Sequence, residues 1–576
     1  MNPEDVLKSL SRRKFLRNSV IAATGIVLLP SAMLGCKNKD DDEIFEGQGF
    51  NEGVASFDPS QDKVILWTRY TPAVQEQSKP TIVLDVAKDK DFNTVVVSQS
   101  VEVDTNSDHT VYVDVSQLTS NTKYYYRFRN EKTKAISVTG ETKTLPKAGE
   151  VSEVKLAVVS CANFQAGLFN VYGAVAESDA DVVVHLGDYI YEYPVGSYGT
   201  NASTVALNRQ HKPAGEIIKL EDYRERYRQY RSDEQLQKAH QLKPFICVWD
   251  DHEIANNAYK DGAENHQANE GDFNTRKMSA IQVWHEYLPA RVQDNAKIYR
   301  GFEIGGLVNL MMLDTRIIGR DKQLDYADYL TSTGLNSTEF FADWQNPQRT
   351  ILGQEQKSWL VSKINTSTSK WQVLGNQVLM GKMFIPAEQL LLTAQISSGS
   401  TDPALLAQYN KVALELVTIK TRMLQNDPTL TAAEKARVQT VLPYNLDAWD
   451  GYPAEREMIY AAVSGKKIVS LAGDTHNAWY SVLSDSNGRK AGTEFATSSV
   501  TSPGFEAIFG DNPQTIAGFE QVNTLLIDDL QYVDASKRGY VMATFTANEA
   551  KAEWRFVNTI LSNSTTTVTS KTVSES

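Results

Sequence analysis

Three cysteines in 576 residues cannot build a disulfide framework, so each thiol needs its own explanation. The short Cys/His spacings of a closed zinc site are missing, and so is the GxxxxGK[ST] run of a phosphate-cradling loop. A structural zinc module and a P-loop phosphotransferase both drop out. Positive charge is scarce as well: 58 basic residues against 71 acidic ones give a formal charge of −13. That balance opposes polyanions, sets specific nucleic-acid binding aside and suits a site that gathers cations. The apolar segment Val20 to Leu34 is too short to cross a bilayer comfortably and is interrupted by Pro30.

What the chain does contain begins with an address. Ser11-Arg12-Arg13-Lys14-Phe15-Leu16 resembles a twin-arginine export signal, and Met33-Leu34-Gly35-Cys36 resembles a bacterial lipobox with Met where the usual pattern prefers Leu. Residues 1–36 are therefore expected to be a signal with lipidation at Cys36, and 37–50 an acidic tether. The expected partners of this region are the twin-arginine machinery and, through the lipid anchor, a membrane. The expected location is periplasmic, or on the outer membrane or cell surface.

At about 150 residues per domain the remainder holds more than one unit. Alternating segments such as Lys63 to Arg69 and Thr122 to Phe128 predict a β-sandwich over 51–148. The run from Leu118 to Phe128 resembles the strand corner of fibronectin-like domains, where a Tyr pins the turn. From 149 to 561 strand-like and helix-like segments alternate, with a helical insertion at about 393–443 and a predicted amphipathic surface helix over Leu220 to Arg231. The Ser/Thr-rich tail, 562–576, reads as disordered.

Chemistry gathers where apolar strands stop. Val182 to His185 leads into Gly187-Asp188, with Tyr191 three residues on, and Val154 to Val159 leads to Cys161. Pro244 to Val248 runs into Trp249-Asp250-Asp251-His252-Glu253, four ionisable groups that would repel one another at a buried strand end unless cations held them. Three later strands lead into Asp314-Thr315-Arg316, Asn376 and Gly473-Asp474-Thr475-His476. Open α/β sheets bind ligands at this edge. Thiolate and phenolate suit a trivalent or transition metal, whereas carboxylates and an amide oxygen suit calcium, magnesium or manganese. Two unlike metals bridged by Asp188 fit two-metal hydrolysis. Cys247, inside its strand, reads as core.

In this order the motifs resemble those of the alkaline phosphatase D (PhoD) family of metallophosphoesterases, over nearly the whole chain after the signal. The resemblance implies a mixed α/β fold, a fibronectin/Ig-like sandwich followed by an αββα catalytic domain, with ferric iron and calcium as cofactors. It implies Cys161, Asp188, Tyr191 and His476 on the iron, and Asp188, Asp250 or Asp251, Asn376 and Asp474 on the calcium. The expected reaction is hydrolysis of phosphate monoesters by a metal-activated hydroxide. His252 is expected to protonate the leaving oxygen or position the substrate, and Arg316 to neutralise phosphate charge. A phosphodiesterase acting on phospholipid headgroups or teichoic-acid-like polymers is the alternative chemistry. A surface-tethered binding module with a structural metal is the alternative of another class.

Overall fold

The computed structural model describes residues 45–72, 79–331, 334–397 and 403–576; the expected export signal, Cys36 and the first part of the expected tether lie outside the described residues. Two large sheets dominate. In the first, nine strands run in the order Thr567–Glu575, Ala550–Val557, Gly539–Thr546, Glu153–Val159, Val182–His185, Pro244–Cys247, Val54–Phe57, Val64–Arg69 and Thr110–Val115. In the second, seven strands run Arg300–Ile304, Val308–Met312, Trp371–Gly375, Ile468–Ala472, Lys490–Ala496, Ala478–Ser484 and Leu530–Asp534. The central strands of each pair in parallel. They are short, apolar and buried throughout, as strands covered on both faces must be.

Side chains from both sheets meet in one core, Leu156 and Val184 from the first with Val373, Val469 and Phe495 from the second. Two indoles tie the layers together: Trp371 Nε1 donates to the Thr546 carbonyl (2.8 Å) and Trp554 Nε1 to that of Ala496 (2.9 Å). The other face of the second sheet forms a separate core with helices Ser337–Trp344, Gly353–Thr366 and Pro453–Ala462. Helices Asn170–Glu177 and Glu234–Leu242 pack on strands of the first sheet.

Four expectations change. The N-terminal strands do not form a free-standing unit: Val54–Phe57 pairs in parallel with Pro244–Cys247, so three of its strands continue the catalytic sheet. Its remaining strands form a second, six-stranded layer over a shared core that includes Leu66, Leu84 and Phe128. In that layer Tyr124 Oη accepts from the Thr119 N–H (2.9 Å), pinning the turn before its strand. The tether ends early, because Phe45–Glu46 pairs with Ala135–Ile136 and Phe50 is buried. The tail is ordered: Thr567–Glu575 adds an edge strand beside Ala550–Val557. Its alternating Thr and Val have high strand propensity, and its polar composition reflects an edge facing water. Helix Leu220–Arg231 has the expected bounds but is no surface helix, since Tyr223, Arg226, Tyr227, Tyr230 and Arg231 are all buried. The insertion holds helices Ala387–Ser397, Pro403–Leu424 and Ala432–Gln439, the last with a Thr431/Glu434 capping box. No helix among the described residues is long and apolar enough to cross a membrane.

Candidate metal centre

Parallel pairing puts the carboxyl ends of Glu153–Val159, Val182–His185 and Pro244–Cys247 side by side. Those of Val308–Met312, Trp371–Gly375 and Ile468–Ala472 lie side by side in the second sheet, and Gln377 Nε2 donates across to the Trp249 carbonyl (2.9 Å). Two glycines allow the tips to close up. At Gly187 (φ +100°) a Cβ would sit 2.3 Å from the Asp250 nitrogen, and at Gly473 it would meet Ser160 Oγ at 2.6 Å.

The ligand-bearing residues are themselves strained. Cys161 (φ 61°), Asp188 (54°), Asp474 (64°) and His476 (65°) all lie in the left-handed region. Non-glycine residues there cost of order 1 kcal/mol or more each, and such outliers cluster at functional sites. Here the strain turns four side chains inward.

Donor atoms of Cys161, Asp188 and His476 lie within 4.8 Å of one another, and all three residues are buried. Tyr191 Oη donates to Asp188 Oδ2 (2.8 Å), lies 3.2 Å from His476 Nε2, and accepts from Ser502 Oγ (2.7 Å). His476 Nδ1 donates to the Pro503 carbonyl (2.9 Å), which leaves the Nε2 lone pair for a metal. Asp188 Oδ1 is buried with no hydrogen-bond partner. Burial pushes the Cys161 and Tyr191 protons well above their ordinary range, with Asp188 adding to both, and lifts Asp188 to about 6. A thiol, a phenol and an orphaned carboxylate oxygen, each disfavoured as an anion by burial alone, together with a neutral imidazole nitrogen, fit a multivalent cation.

A second group overlaps the first. Donor atoms of Asp188, Asp251 and His252 satisfy the same 4.8 Å limit, as do those of Asp250, Asp251 and Asp474. Asp251 belongs to both sets, which favours it over Asp250 as the shared ligand. Asp250 is instead gripped by Arg316, whose Nε and Nη2 both reach its carboxylate. Arg316 also bonds Asp447 (2.8 Å) and Asp474 (3.1 Å) and is buried. The expected phosphate clamp is therefore turned onto the ligand carboxylates. Burial and the crowding of Asp251, Asp188 and Asp474 raise Asp250 well above the carboxylate range, and Arg316 works against that rise. Asn376 is buried at its strand end, where Oδ1 accepts from Trp449 Nε1 (3.2 Å); an indole takes part of the oxygen expected for calcium.

His252 packs against Tyr191 with ring centroids 4.2 Å apart and planes tilted by 32°, and its Nδ1 donates to Glu192 Oε2 (2.7 Å). Burial lowers its pKa, but Asp251, Glu192 and Asp188 outweigh burial and carry it up to about 10. Glu253 accepts from the N–H groups of Asp188 (3.0 Å), Tyr189 (2.6 Å) and Asp250 (2.8 Å) and so fastens two strand tips together. The sequence reading missed Glu192, Tyr198, Asp447 and Ser502. Of these only Glu192, one residue past Tyr191, carries a signal that a strand-end search could have caught. Cys247 is buried core, as its strand position implies.

Comparisons with known proteins give the family. The family model described as "PhoD-like phosphatase" matches residues 156–554, and "PhoD-like phosphatase, N-terminal domain" matches 35–146. Alkaline phosphatase D of Bacillus subtilis (strain 168) is 31% identical over 568 residues, 95% of this chain and 84% of that protein. The solved structure titled "Structure of PhoD" superposes with a TM-score of 0.70 at 29% identity, covering 92% of this chain and 90% of its own. A purple acid phosphatase from yellow lupin (Lupinus luteus) seeds overlays at TM-score 0.47 and 11% identity, over 88% of this chain and 71% of that one. The chain is a phosphoric ester hydrolase. Within that class it belongs to the PhoD-like phosphatase family.

Proposed function

We propose that this chain is an exported, lipid-anchored, metal-dependent phosphatase that hydrolyses phosphate monoesters. The observation that carries the metal reading is the convergence of Cys161, Asp188 and His476 around a buried Asp188 oxygen with no other partner. Cys161, Asp188, Tyr191 and His476 would hold ferric iron. Asp188, Asp251 and Asp474, with Asp250 and Asn376 beside them, would hold calcium. Bound there, the two cations supply Lewis acidity to the phosphoryl group and lower the pKa of water.

The protein's own groups do the rest. Asp188 bridges the two donor sets, and Arg316 holds the Asp250 and Asp474 carboxyl groups in place. Water adds in line to phosphorus, the bond to the alcohol oxygen breaks, and His252 Nε2–H gives that oxygen its proton. The leader motifs support export and anchoring. The two-layered N-terminal strands, with the Tyr124 turn, support a fibronectin-like unit fused to the catalytic layers.

Elemental analysis with a visible spectrum tests the cofactors. Stoichiometric iron, with a phenolate charge-transfer band lost in Tyr191→Phe, is expected; colourless protein with stoichiometric zinc would refute the iron assignment. Initial rates on a nitrophenyl monoester and its bis-ester test the substrate class. A faster diester would replace the monoester reading with the phosphodiesterase one.

A further inference from the structure

Several buried carboxylates in this fold fasten loops by accepting from backbone N–H groups. Glu253 accepts three backbone N–H groups, Glu455 accepts those of Ile351 (2.6 Å) and Leu352 (3.2 Å), and Glu494 accepts those of Met380 (2.7 Å) and Gly381 (3.0 Å). Glu192 differs. Its Oε1 accepts from the Asn256 N–H (2.9 Å) and Asn265 Nδ2 (2.7 Å), while Oε2 accepts from the His252 ring (2.7 Å). Glu192 and His252 are both buried.

The surroundings fix that contact from several sides. The loop carrying Asn265 is held by Arg276, whose Nη1 donates to the Asn265 carbonyl (2.9 Å). Arg276 Nη2 in turn holds Glu216 (3.0 Å) and the Ile217 carbonyl (2.9 Å). The imidazole lies against Tyr191 and Tyr193, at centroid distances of 4.2 and 5.3 Å. A ring nitrogen of His252 lies within 4.8 Å of oxygens of both Asp188 and Asp251. With Nδ1 committed to Glu192, Nε2 is the nitrogen left for the reacting groups.

We infer that Glu192 is a positioning residue for the phosphatase reaction: anchored by Asn256 and Asn265, it fixes the tautomer and the plane of His252 so that Nε2–H faces the leaving oxygen. The role rests on the reading of His252 as the proton donor. It assigns a function to a carboxylate that would otherwise be one more loop fastener.

The test measures Glu192→Ala, Glu192→Gln, His252→Ala and the double variant Glu192→Ala/His252→Ala in full-length metal-loaded protein. Nitrophenyl phosphate, whose leaving group needs little protonation, is compared with an alkyl phosphate, whose leaving group needs it. Metal content is followed by elemental analysis. Expected for Glu192→Ala is a fall of about 10–100-fold on the alkyl ester, the size typical of losing an outer-shell partner, a much smaller fall on the nitrophenyl ester, and unchanged metal stoichiometry. Glu192→Gln, which keeps the shape and an acceptor oxygen, should retain part of the loss-prone activity. The double variant should be no slower than His252→Ala, since the carboxylate acts only through the ring. Equal losses on both esters, metal loss, or additive effects in the double variant would each overturn the role of Glu192. If His252→Ala spares the alkyl ester while the cycle remains non-additive, the proton-donor reading fails and the positioning of His252 by Glu192 stands.

Discussion

The two halves of the metal centre handle buried charge in opposite ways. Around Asp250 and Asp474 the chain supplies its own cation: Arg316 bonds both, and Asp447 ties Arg316 to Arg320. Around Cys161, Tyr191 and Asp188 the neighbours that meet the donor atoms are hydroxyls and the His476 and His252 rings, and one Asp188 oxygen has no hydrogen-bond partner. The first arrangement carries a guanidinium as countercharge without a metal. The second needs one to ionise its thiol and phenol, so it is the half in which metal loading should be obligatory.

Asp188→Asn attacks what the halves share and has the largest expected effect. Turnover should fall to the blank rate and elemental analysis should show loss of the metal on the Cys161 side; retention of full metal content would show that Asp188 is not the bridge. Arg316→Met removes the built-in cation and leaves buried carboxylates unpaired, a loss of about 3–5 kcal/mol in stability. Chemical denaturation should detect it, and added divalent cation should restore more stability to the variant than to the parent protein. Glu494 shows what mainly dipoles achieve at a buried carboxylate: burial raises it to about 7, against the N–H groups of Met380 and Gly381, the Ser470 hydroxyl and the Arg456 charge. Because its folded pKa lies above its unfolded one, its contribution is fully present below about 4.5 and is lost as pH rises through about 7, roughly 3 kcal/mol in all. Glu494→Gln should flatten the stability profile between those pH values; an unchanged slope would assign the pH dependence elsewhere. Smallest is Ser502→Ala, which removes the hydroxyl that donates to Tyr191 Oη and lies 2.9 Å from the Cys161 carbonyl oxygen. Metal affinity should weaken about tenfold, measured by competition with a chelator, with little change in thermal stability.

Residues that end apolar strands were legible because pattern and position coincide. Cys161, Asp188, Asp250, Asp251, Asp474 and His476 each follow a short buried run, and parallel pairing within each sheet together with the packing of one sheet on the other collects them. Ser502 and Tyr198 lie on irregular segments that no periodicity marks, so only the folded chain shows that they reach Tyr191 and His476. Arg316 was visible as a charge, but a sequence does not say which anions a guanidinium meets. Composition misled at both ends of the described chain. The Ser/Thr content of the tail concealed an alternation that makes an edge strand, and the acidic run before Phe45 drew attention from Phe50, which belongs to the core.

The continuous nine-stranded sheet has a consequence for biosynthesis. Val158 pairs with Val541 on one side, while Phe57 pairs with Phe245 on the other. Ribosomal emergence therefore delivers the middle of the sheet long before Gly539–Thr546, its closing neighbour, and until that strand arrives Glu153–Val159 exposes an open edge prone to wrong partners. Maturation of this molecule has to wait for its last strands, a schedule that favours chaperone shelter over piecemeal folding during synthesis.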